Sequence, residues 1–179
     1  MNESDKKFWN IFFRYLILIM FSLLGLEIFY FVFTPLTIYP VYFLFNYFFG
    51  ATIHGTTLSV GSVNIEMIKA CIAGSAYSLL LIFNLSTPGI RINQRLRMIF
   101  LAFAIFLIAN VLRILVSALF YLSGSPLFDI THKLFWYFGS VILITVIWFF
   151  QVNAYKIKSI PFYSDLKFLY GHSILKKRR

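Results

Sequence analysis

Charge is scarce in this chain, and cysteine is nearly absent. Of 179 residues only 12% are Asp, Glu, Lys or Arg, whereas 60% are hydrophobic and 21% aromatic. Such a composition excludes an ordinary water-soluble domain and describes a chain whose solvent is lipid. The single cysteine, Cys71, excludes any intrachain disulfide, leaving it as a small apolar filler or a reactive thiol. Several signatures are missing too: there is no H-E-x-x-H, no G-x-x-x-x-G-K-[ST], no G-x-S-x-G and no pair of intramembrane aspartates. No metal site or cofactor is therefore expected. Net charge is +10, but the basic residues flank apolar runs, where topology and anionic lipid account for them better than nucleic acid does.

What is present is a set of apolar runs of about 20 residues, the length that crosses a hydrocarbon core about 30 Å thick. They lie at roughly 11–33, 72–87, 97–120 and 133–153, which predicts an all-α integral membrane protein, one domain over 1–179, with about four spans. The first run is too long for a signal peptide and should remain as an anchor. The aromatic stretch 35–50, with Pro35, Pro40 and Asn46, suits a re-entrant or interfacial fifth helix. A small hairpin is expected near 53–68, resting on the bundle because two strands alone are marginal.

Basic residues orient the spans. Lys6, Lys7 and Arg14 lie before or at the start of the first, Arg91, Arg95 and Arg97 follow the second, and seven more lie in the tail 154–179. With four spans all three groups fall on one side. Both termini are then cytoplasmic at the plasma membrane, the end Lys176-Lys177-Arg178-Arg179 meets inner headgroups, and the hairpin is extracytoplasmic. Lys69, Arg113 and Lys133 are the exceptions.

The same topology gathers Cys71, Arg113 and His132 at the outer face, with Asn110, Asp129, Lys69 and Glu66. Arg113 interrupts an apolar helix about two turns short of the outer boundary, where a guanidinium needs a partner such as Glu27 or Glu66. Asn110 lies three residues before it and Ser117 four after, so the three form one polar stripe. His132 follows Asp129 by three residues, close enough for the carboxylate to orient the imidazole. Cys71 opens a helix whose first N–H groups favour an anion.

Ala70-Cys71 followed by Gly74, then Asn110-Val111-Leu112-Arg113, then His132 at the head of the last run, resembles the exosortase/archaeosortase family in order and spacing. The polar stretch His54 to Ile65 looks like that family's hairpin before its cysteine helix, so the likeness covers roughly residues 50–150. The resemblance is to a compact archaeal form. It implies a membrane-embedded cysteine transpeptidase or protease: Cys71 as nucleophile, Arg113 as stabiliser of negative charge, His132 as general acid/base, with Asn110, Asp129 and Ser117 in support. The implied partners are exported proteins bearing a C-terminal sorting tail of motif, apolar helix and basic cluster, and a membrane lipid or other acceptor. One departure stands out. The family's A-C-x-G is here Ala70-Cys71-Ile72-Ala73-Gly74, and one extra residue in a continuous helix turns Gly74 by about 100°. A non-enzymatic bundle, either a small transporter subunit or an assembly scaffold, is the rival reading, in which Asn110 and Arg113 line a polar pathway.

Overall fold

The computed structural model of the chain describes residues 3–157 and Tyr170. Most of the tail 154–179 lies outside the described residues. Among the described residues three helices are long and apolar enough to cross a membrane, Leu26–Phe49, Lys69–Ser86 and Ile92–Leu122, and two shorter apolar helices cover Phe8–Met20 and Ser140–Ala154. These bounds alter the expected spans in three places.

The run 11–33 does not form one span. It is divided between α1 (Glu3–Leu24) and α2 (Leu26–Phe49) at Gly25. Glycine is among the poorest helix formers, and α2 begins afresh there, with Phe29 N–H donating to the Gly25 carbonyl at 3.2 Å. Nor is 35–50 a separate re-entrant helix: it is the continuation of α2, which runs through Pro35 and Pro40. Each proline removes one backbone donor, a loss that apolar helices tolerate when packed against neighbours. Gly50 ends α2 in the left-handed conformation (φ 62°) with its N–H on the Asn46 carbonyl at 3.0 Å, the usual glycine stop.

The polar segment forms three strands rather than two: β1 (Thr52–His54), β2 (Thr57–Val60) and β3 (Val63–Glu66), an antiparallel meander in sequence order. Both connections are two residues long and begin with a glycine of positive φ, Gly55 and Gly61, as tight hairpins require. Leu58 is buried, and Ile53, Val60 and Ile65 pack on the core beside it. A third strand and this apolar face give the sheet the support that two strands would lack.

Next comes a broken helix. α3 (Lys69–Ile72) and α4 (Gly74–Ser86) are separated by Ala73, which sits at φ 57°, ψ 42°. α5 (Ile92–Leu122) has 31 residues, about 47 Å at 1.5 Å per residue, and so outruns a 30 Å core. The last run starts earlier than 133. α6 (Leu127–Leu134) leads through a π-helical turn (Phe135–Gly139) into α7 (Ser140–Ala154).

Aromatic packing ties α2, α4 and α5 together. Tyr77 stacks on Phe33 at 3.5 Å between centroids and meets Phe103 and Phe106 edge-on. At the α4–α5 turn, Arg95 donates to the carbonyls of Asn84, Leu85 (3.0 Å) and Thr87 (2.9 Å). It thereby satisfies the carbonyl groups that a helix leaves open at its C-terminus. Asn84 in turn donates to Gln151 at 3.2 Å, and Gln151 to the Met98 carbonyl, which joins α4, α5 and α7.

Candidate functional site

Ala73 decides the geometry around Cys71. A non-glycine residue in the left-handed region costs about 1–2 kcal/mol, and here it interrupts the helix two residues after the thiol. The extra residue in Ala70-Cys71-Ile72-Ala73-Gly74 is therefore absorbed as a break, and the rotation of Gly74 expected for a continuous helix does not arise. Gly74 instead marks a close approach: a Cβ there would lie 2.8 Å from Cε1 of Tyr30 and 3.0 Å from Cδ1 and Cζ. The broken helix leaves the Cys71 carbonyl to be satisfied from outside. Two side chains of α5 do so, Asn110 Nδ2 at 2.9 Å and Arg113 Nη2 at 3.4 Å.

Arg113 has a second anchor, donating from Nη1 to Ser140 Oγ at 3.1 Å. Its partners are thus a backbone carbonyl and a hydroxyl; among the described residues no carboxylate pairs with it. Glu27 is engaged elsewhere, in an exposed ion pair with Lys69 at 3.0 Å, while the Lys69 ammonium lies 5.1 Å from the centre of the Tyr30 ring. Two of the five guanidinium N–H groups are used in this way, which leaves three for another acceptor.

Cys71, Arg113 and His132 line one cavity of about 270 Å³, together with Ser117, Glu66 and residues of β3. The thiol residue is half-buried. The stripe on α5 divides its work: Ser117 faces the cavity, Arg113 reaches both the cavity and the Cys71 carbonyl, and Asn110, 1% exposed, donates to the carbonyl and lines a second cavity with Arg113 and Ser140. His132 stacks on Phe128, 5.3 Å between centroids and 11° between planes, and Phe128 meets Tyr121 at 5.1 Å. Asp129 is exposed and does not line the cavity. An aromatic ring thus stacks on the imidazole, and Asp129 stands outside the group that lines the cavity. Among the described residues no set of three or more His, Cys, Asp or Glu is placed to hold a metal ion.

Comparison with models of known families, with curated proteins and with solved structures finds no match. The site accordingly rests on its own geometry.

Two contributors escaped the sequence reading. Ser140 carried no signal, since a serine after Gly139 at the start of an apolar helix reads as small-residue packing. Arg95 read as a topology marker, whereas its guanidinium caps α4. The π-helical turn between His132 and Ser140 also has no sequence signature, although such turns recur beside functional residues.

Proposed function

We propose that this chain is a membrane-embedded cysteine transpeptidase or protease that acts on the C-terminal sorting tails of exported proteins and passes them to a lipid or other acceptor. The observation that carries this reading is the convergence of Cys71 from α3, Arg113 from α5 and His132 from α6 on one cavity, the same three residues on which the resemblance rests. In the proposed reaction the Cys71 thiol passes its proton to His132 as its sulfur attacks a substrate carbonyl, forming a C–S bond and placing negative charge on the carbonyl oxygen. The N–H groups of Arg113 not bound to Ser140 or Cys71 receive that charge. Collapse breaks the C–N bond, with His132 giving its proton to the departing amine and leaving a thioester on Cys71. An acceptor amine, or water, then attacks the thioester and yields its proton to His132, which passes it to the departing sulfur as the C–S bond breaks and the thiol is restored. An amine makes the reaction a transpeptidation and water makes it a proteolysis. The reading places Cys71 on the extracytoplasmic side and the basic groups around Arg14 and Arg95 on the cytoplasmic side.

The test is co-expression with a tail-bearing exported protein, comparing wild type with Cys71→Ala, Arg113→Ala and His132→Ala. Mass spectrometry should find a shortened product and, in a stalled wild-type reaction, an acyl adduct on Cys71, with processing lost in each variant. Undiminished processing by Cys71→Ala refutes the reading.

One observation favours the rival, a non-enzymatic helix bundle: Asn110 and Arg113 both brace the carbonyl of a broken helix, a purely structural task. The Cys71→Ala variant separates the two, because it keeps the carbonyl and its brace while removing only the sulfur.

A further inference from the structure

The cavity beside Cys71 is bordered on one side by β3. Asn64, Ile65 and Glu66 line it, and among the described residues none from β1 or β2 does. β3 is the last strand of the sheet, so one of its edges pairs with β2 and the other pairs with no strand among the described residues. The register specifies what that second edge offers. Val60 and Val63 flank a two-residue turn, and Met67 N–H donates to the Thr56 carbonyl at 2.9 Å. In an antiparallel ladder, alternate residues direct their backbone groups toward the partner strand. Val63, Ile65 and Met67 therefore turn theirs to β2, and Asn64 and Glu66 turn theirs away. Outside the β2–β3 pairing, no backbone hydrogen bond joins Asn64 or Glu66 to the rest of the described chain.

An edge with two outward N–H groups and two outward carbonyls is a template for an extended peptide. The space agrees: the cavity of about 270 Å³ takes side chains of an extended chain against Ile65, Ile114 and Phe135. From this and from the acyl-transfer reading above, on which it rests, we propose that the polypeptide processed at Cys71 binds as a fourth strand on β3. It hydrogen-bonds to the main chain of Asn64 and Glu66, and its scissile carbonyl lies at the Cys71 end of the cavity. Main-chain pairing supplies attachment, and the apolar wall selects every second side chain.

The test uses the full chain in phosphatidylglycerol-containing nanodiscs. The probe is a synthetic tail (motif, apolar helix and basic end) of a protein that the wild type shortens. Successive amides around the cleavage point are N-methylated one at a time, which deletes one donor per peptide. The expected result has a period of two: KM rises about five- to tenfold where the donor faces β3, and less than about twofold at the residues between. Glu66→Pro, which removes an outward N–H and spares the β2 ladder, should raise KM similarly while its Tm stays near wild type. No effect of N-methylation, or the same effect at every position, overturns the proposal. So does a Glu66→Pro protein with wild-type Tm and unchanged KM; if that protein also loses self-association, the edge belongs to a second copy of the chain. Failure of the wild type to shorten any unmodified tail overturns the acyl-transfer reading itself, and the strand proposal with it. That outcome is distinct from normal cleavage with no periodicity.

Discussion

Replacing Gly74 by alanine tests the packing that sets the Cys71 segment against α2. Two effects oppose each other. Alanine is the better helix former by at most about 1 kcal/mol, and by less at the first position of α4. Against this, the new Cβ would lie 2.8–3.0 Å from three atoms of the Tyr30 ring. The three near-equal distances mean that the ring presents its body rather than its tip. Rotating a side-chain end cannot relieve the contact, and the ring is further confined by the Lys69 ammonium on it and by the core it packs on. Overpacking of this kind costs about 1–3 kcal/mol, so the net loss should be about 1–2 kcal/mol. For a chain of this size that corresponds to a fall in Tm of roughly 2–8 °C, readable by thermal unfolding in detergent. The decisive comparison repeats Gly74→Ala in a Tyr30→Ala background, where the clash is gone and only the propensity gain remains. There the substitution should be neutral or slightly stabilising. An equal fall in both backgrounds, or no fall in the wild type, would refute the close approach of α2 to α4.

Ser140→Ala should loosen Arg113 by removing its side-chain acceptor at 3.1 Å; tail processing is expected to lose about fivefold in kcat with KM little changed, and Ser140→Thr should restore it. Arg95→Lys keeps the charge but loses the fork that spans the carbonyls of Asn84, Leu85 and Thr87, so the variant should be destabilised by on the order of 2 kcal/mol in the same unfolding assay. Lys69→Met breaks an ion pair whose side chains are 68% and 77% exposed; a change above about 1 kcal/mol would contradict the weakness expected of an exposed pair.

Much of the architecture was legible from run length and spacing. α4 falls within the expected span 72–87 and α5 contains the expected span 97–120, extending past it at both ends, because uninterrupted apolar residues over that distance leave the backbone few alternatives to a helix. A small β element near 53–68 was legible as well, though as a hairpin of two strands where the structure has three. The placement of Asn110, Arg113 and Ser117 on one stripe needed only helical periodicity. The count and bounds of the other spans were less legible. Hydropathy averages over a window and does not register a single residue, so the break at Gly25, the passage of α2 through two prolines and the π-helical turn at Phe135–Gly139 all went unseen.

By itself, then, the sequence determined the helices long and apolar enough to cross a membrane and which polar residues within them are too costly to leave without a partner. Tertiary structure decided who satisfies them. Arg113 was expected to seek a carboxylate, but Glu27 was taken by Lys69, and the guanidinium found instead the carbonyl of Cys71, opened by the left-handed turn at Ala73, and the hydroxyl of Ser140. Such choices depend on the local backbone angle of one alanine and on atoms 27 to 42 residues away in the chain. No local pattern encodes distances of that kind, because each partner is selected only when the helices have packed.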